Sequence, residues 1–120
     1  MPESTTLTPL SHAILLALAE EDRHGYAIIK AVVSQSEETL RPGTGTLYTA
    51  LQRLMDEGLI AESAREPEPG EDRRRRYYRL TDAGREAARG ETLRLARLVA
   101  LARDVSVVAE ADLAQALGAR

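Results

Sequence analysis

Apolar residues recur at helical spacing in three successive blocks near the start of the chain. Thr8-Pro9 reads as an N-cap with proline at the first helical position, and Leu10, Ala13, Ile14, Ala17 and Leu18 follow. This predicts a first helix from about Pro9 to Glu20. Glu21-Asp22-Arg23 is a polar break. His24-Gly25 then opens a second helix, carried by Tyr26, Ile28, Ile29, Val32 and Val33 to roughly Ser36. Leu40-Arg41-Pro42-Gly43 is a turn by composition. The third helix runs from Thr44 or Gly45 to about Glu57, with Leu47, Leu51, Leu54 and Met55 as its buried stripe and Gly58 as the stop.

The period then changes. Leu59-Ile60 is a short apolar pair, and Arg75 to Leu80 alternates and is rich in tyrosine, as a strand does. The two segments pair as a hairpin across a polar tip, Glu66 to Asp72. Tyr78 and Leu80 are expected inward, and Arg75, Tyr77 and Arg79 on the other face. Thr81-Asp82 caps a long fourth helix reaching about Arg103. Beyond Leu93 its apolar residues cover more than half the circumference, which one small core cannot satisfy. A short helix near Ala111 to Leu117 closes the pattern. Three helices, a hairpin and a long helix predict a mainly α fold with a small β-hairpin: a winged helix-turn-helix, 1–81, followed by a helical dimerisation region, 82–120.

Composition narrows the chemistry. The chain has 120 residues, 43% of them hydrophobic, with no Trp and no Phe, so its core is aliphatic. Cysteine is absent, which excludes disulfides and thiolate metal sites. No apolar run approaches a membrane span, and Met1-Pro2-Glu3-Ser4 lacks a signal peptide's basic start. The expectation is a cytoplasmic protein with no membrane partner. The net charge of −3 conceals a basic stripe: Arg73, Arg74, Arg75, Arg76 and Arg79 follow directly on acidic Glu66, Glu68, Glu71 and Asp72. Such a stripe suits phosphate docking. It equally suits a strand edge kept from aggregating by charge.

With Leu47, Leu51 and Leu54 turned inward, the third helix presents Thr46, Thr49, Gln52, Arg53 and Asp56 on its opposite face. Hydroxyls, an amide and a guanidinium can serve phosphates and base edges, Gln suiting adenine and Arg suiting guanine. Arg73 to Arg76, beside the tip, can reach the minor groove or flanking phosphates. The acidic tip does not fit close phosphate contact; either it bends away or it moves. Enzyme readings are thin. His12 and His24 sit on different helices with no carboxylate at ligand spacing, and Ser11, Ser34 and Ser36 have no nearby base. No metal, cofactor or catalytic residue is expected.

Four ordered strings carry a resemblance: His24-Gly25-Tyr26-x-Ile28-Ile29-Lys30, Gly45-Thr46-Leu47-Tyr48-x-Ala50-Leu51-x-Arg53-Leu54, Glu57-Gly58-Leu59-Ile60, and Arg76-Tyr77-Tyr78-Arg79-Leu80-Thr81-x-x-Gly84. Over roughly Leu7 to Arg89 the chain resembles the PadR family of bacterial transcriptional regulators, in its compact form. One departure is Pro42-Gly43-Thr44, where a Ser-Pro or Gly-Pro pair commonly precedes the Gly-Thr-Leu-Tyr string. The resemblance implies a homodimeric repressor on a pseudo-palindromic DNA operator. It implies DNA contacts from Lys30, Thr44, Thr46, Tyr48, Thr49, Gln52, Arg53 and Arg73, Arg74, Arg75 and Arg76. Tyr26 would pack near the third helix. A dimer seam is expected at Leu95, Leu98, Val99, Leu101, Ala102 and Val105. Some relatives hold aromatic drugs at this seam, but all four tyrosines here precede Thr81. A small-molecule effector is thus compatible with the chain but not indicated. The alternative reading is a winged-helix protein-interaction module without specific DNA binding.

Overall fold

The computed structural model describes residues 7–65, 69–70 and 75–118. In order the elements are α1 (Pro9–Glu20), β1 (Arg23–His24), α2 (Gly25–Gln35), α3 (Thr44–Asp56), β2 (Ile60–Glu62), β3 (Tyr77–Leu80), α4 (Asp82–Asp104) and α5 (Glu110–Ala116). The chain divides into two compact units, residues 1–89 and 90–120.

In the first unit the helical stripes converge as their periodicity requires. Ile14, Leu15 and Leu18 of α1, Ile28 and Val32 of α2, and Leu47, Leu51 and Leu54 of α3 are all buried. Ile60 from β2 and Ala88 from α4 complete this aliphatic cluster, and Tyr78 adds its ring. Each branched side chain removed from water contributes roughly 1.5–3 kcal/mol, so these few positions dominate the fold's stability.

Caps fix where the helices begin and end. The Thr8 hydroxyl accepts from the Ser11 amide at 3.1 Å, starting α1. His24 caps α2 through its ring, Nδ1 accepting from the Ala27 amide at 3.2 Å. Helix α3 starts at Gly43, which offers no side-chain cap. It ends at Gly58, whose φ of +76° is the left-handed conformation a helix stop requires. Between α2 and α3 the chain turns through Glu37 and Glu38, both at positive φ. The composition placed that turn a few residues later, at Leu40 to Gly43.

The sheet is three-stranded and antiparallel, in the order β1-β3-β2. Ile60 faces Leu80 and Glu62 faces Tyr78, which is the expected hairpin. The additional strand lies in the predicted polar break: Arg23 pairs with Tyr78 and His24 with Tyr77. This pairing changes the inward–outward assignment of β3. Tyr77, expected on the outer face, is buried alongside Tyr78. The His24 ring meets it edge-on, centroids 5.3 Å apart, and the Arg65 guanidinium lies 4.6 Å from its centroid. Leu80 is half-buried and Arg79 exposed.

Helix α4 is uninterrupted from Asp82 to Asp104. Within the second unit, steps of four and three residues place Glu91, Leu95, Leu98 and Ala102 along one line of the helix. Its far part is uncovered: Leu98 is 50% exposed, with Leu101 beside it at 55% and Val105, just past the helix, at 60%. Glu91, by contrast, is buried, and its carboxylate holds Arg94 through bonds of 3.0 and 2.6 Å. That bond raises the Arg94 pKa further above its ordinary value. Short α5 is capped by Asp112, which accepts from the Ala109 amide at 3.0 Å.

Candidate nucleic-acid interface

Because Leu47, Leu51 and Leu54 are buried, the rest of α3 faces solvent. Thr44, Thr46, Thr49, Gln52 and Arg53 are exposed, and Tyr48 is 46% exposed. Two of them are engaged along the helix surface. Gln52 Nε2 donates to Asp56 Oδ1 at 2.9 Å, and Arg53 Nε stands 3.8 Å from Glu57 Oε2. Exposed pairs of this kind contribute about 0.3–0.5 kcal/mol each, so a phosphate or base edge can replace them at little cost. Beside this face an open groove of about 460 Å³ separates Thr8, Leu10 and Ser11 from Gly45, Thr49 and Arg53.

The wing adds cations. Arg75 and Arg76 are exposed at the start of β3, and Arg75 Nη1 lies 3.2 Å from His24 Nε2. Arg73 and Arg74 fall outside the described residues, as do residues 66–68 and 71–72 of the acidic tip. Strand β3 is central: β1 pairs with Tyr77 and Tyr78 on one side, and β2 pairs with Tyr78, Arg79 and Leu80 on the other. Arg65, not singled out by the sequence, joins this surface: it stacks on Tyr77 and donates to the Asp22 carbonyl at 2.9 Å.

Tyr26, expected to pack near α3, is 61% exposed, with Lys30 Nζ 5.5 Å from its ring centroid. As the second residue of α2 it points out of the bundle, because the buried stripe of that helix runs through Gly25, Ile28 and Val32. The ring that closes against the start of α2 is Tyr48. A methyl group at Gly25 would meet its Oη and stand 2.8 Å from its Cζ. Tyr78, buried behind this corner, has its pKa raised first by burial and then by the nearby Tyr48 phenol.

On the second unit, Leu95, Leu98, Val99, Leu101 and Val105 are exposed and Ala102 is half-buried. Among the described residues, no cluster of His, Cys, Asp or Glu could hold a metal ion, and no helix is long and apolar enough to cross a membrane.

Residues 14–90, well over half of the chain, match the model of the transcriptional regulator PadR-like family. The chain belongs to that family. A 37.1 kDa protein in transposon TN4556 of Streptomyces fradiae is 41% identical over 86 residues, which are 71% of this chain. The match spans only 22% of that protein's length. Among solved structures, a transcriptional regulator from Clostridium thermocellum superposes with a TM-score of 0.66 at 28% identity, over 79% of this chain and 87% of that one. Bacillus subtilis PadR, solved in complex with operator DNA, shares the fold with a TM-score of 0.57 at 24% identity, over 69% and 47% of the two chains. Three of the four sequence strings lie at junctions of the first unit, and the fourth, Gly45 to Leu54, runs along α3. His24-Gly25 is the β1–α2 corner, Gly58 the α3 stop, and Thr81 to Gly84 the turn into α4.

Proposed function

We propose that this PadR-like protein is a sequence-specific DNA-binding transcriptional regulator that works as a homodimeric repressor. The observation that carries the reading is the α3 face: short hydroxyls, an amide and a guanidinium stand exposed on a helix whose other side is locked in the core. Such a helix enters a major groove as one rigid piece. Thr46, Thr49, Gln52 and Arg53 meet base edges and phosphates there, Thr44 and Lys30 flank them, and Arg75 and Arg76, with Arg73 and Arg74, hold the adjacent backbone. The operator complex of Bacillus subtilis PadR, on the same fold, supports this docking mode.

The exposed line on α4 supplies the second half of the reading. Leu95, Leu98, Val99, Leu101, Ala102 and Val105 pair with the same residues of a second copy, making 82–120 the dimerisation region and 1–81 the DNA-binding domain. A two-fold dimer reads a pseudo-palindromic operator, and occupancy of that operator blocks transcription in the cytoplasm.

The test is selection of bound fragments from the source genome, followed by titration at several salt concentrations. Retained fragments should share two inverted half-sites, and affinity should fall steeply with salt as counterions are released. Binding indifferent to both salt and sequence removes the proposal and leaves the interaction module in its place.

A further inference from the structure

Gly25 opens α2, and Tyr48 sits one turn into α3. The phenol lies so close to the Gly25 Cα that an added Cβ would stand 2.8 Å from Cζ and 3.4 Å from Cε1, and nearer still to Oη. With any other residue at position 25 the half-exposed ring would have to move from this seat. Gly25 continues directly from β1, whose Arg23 pairs with Tyr78 of β3. Burial first, and then the Tyr48 phenol, raise the Tyr78 pKa.

From this geometry we infer that Gly25 and Tyr48 form a positioning lock, which fixes the reading helix α3 against the corner where β1 becomes α2. The inference rests on the DNA-binding reading above and deepens it. Gly25 is a positioning residue, because its missing side chain lets Tyr48 seat and so sets where Thr49 and Gln52 stand along the groove. Two properties separate this role from simple stabilisation. Alanine is a better helix former than glycine, so Gly25→Ala favours α2 locally. Tyr48 is also half-exposed, so its removal takes little from the core.

The experiment compares the wild type with Gly25→Ala, Tyr48→Ala and the double variant, by two readouts. The first needs no DNA. Phenol ionisation is followed by absorbance, with a Tyr78→Phe control to isolate Tyr78. The Tyr78 pKa should move down toward its ordinary value in both single variants, because each removes or displaces the Tyr48 phenol. The second readout is affinity for the selected operator fragments. Gly25→Ala should weaken binding about tenfold, the scale of one base contact. The double variant should bind no more weakly than Tyr48→Ala alone.

If Tyr78 titrates alike in Gly25→Ala and the wild type, the lock does not exist, whatever the DNA results. If the titration moves while affinity and base preference stay within about twofold, the contact does not position α3. Strictly additive losses also overturn the inference. A wild type that binds no fragment defeats the function proposal and the lock's role in reading DNA; the titration still decides whether the contact itself is present.

Discussion

Gly84 stands where the first turn of α4 passes over the end of α3. A Cβ there would run into the Leu59 carbonyl, which is backbone and cannot swing aside, and would lie 2.7 Å from Leu80 Cδ1. Thr81 makes the same junction from its other side: its hydroxyl donates to the Gly58 carbonyl at 2.7 Å and accepts from the Gly84 amide at 3.0 Å. The gain in helix propensity on replacing glycine, about 1 kcal/mol, is smaller than the strain of overpacking against fixed backbone. Gly84→Ala should therefore destabilise the first unit by about 1–3 kcal/mol, read as a lower urea midpoint with unchanged slope. The sequence string shows Thr81 and Gly84 at the right separation, and the cap was legible in it. The reason for the glycine was not, because the carbonyl it avoids belongs to a residue distant in sequence. Gly25 is the same case. Helix-start chemistry was readable, but not the ring from another helix that occupies the missing side chain's place.

At the scale of elements, the helices were legible because each stripe is local: the 3.6-residue period needs only neighbouring turns. Observed and expected limits agree within a residue or two for all five helices. Strand β1 was not legible. It has two residues and no alternation to display, and it exists only because a strand some fifty residues later pairs with it. Missing that pairing also misassigned Tyr77, since strand alternation predicts one open face and β1 and Arg65 bring cover to it. The turn at Glu37–Glu38 was likewise hidden, because glutamate is not a residue that advertises positive φ.

Helix α3 and the wing should separate experimentally by what their side chains touch. Arg76→Ala should weaken binding evenly across sequences and reduce the log–log salt slope by about 0.9, for one lost phosphate contact. Gln52→Ala should keep the slope and relax preference at one base pair, at a cost of about 1–3 kcal/mol. Fluorescence anisotropy on wild-type and mutated operators at four salt concentrations distinguishes them; matching behaviour would mean that the two elements share one role.

At the scale of the whole molecule, the exposed apolar residues of α4 are too many for a helix that ends in water. Burying a leucine contributes roughly 1.5–3 kcal/mol, so a pair of helices covering these positions on each other has a substantial driving force. Leu98→Glu/Leu101→Glu should convert a dimer into a monomer by light scattering. It should also abolish tight binding to paired half-sites, because the second half-site is then no longer held at high effective concentration. Neither position belongs to the core cluster of the first unit, so the melting of that unit is the control. An unchanged mass would place the seam elsewhere.

The line along α4 has one more consequence, and it concerns length. Glu91 and Leu95 lie toward its near end within the second unit, Leu98 and Ala102 toward its far end, and the helix between them keeps these positions in phase. One residue inserted after Leu95 would turn the far end by about 100°. Seven would restore it with a drift of only about 20°. Length in this helix is therefore constrained: an indel preserves the alignment only where its rotation comes close to a whole number of turns, and any other redraws the apolar pattern downstream.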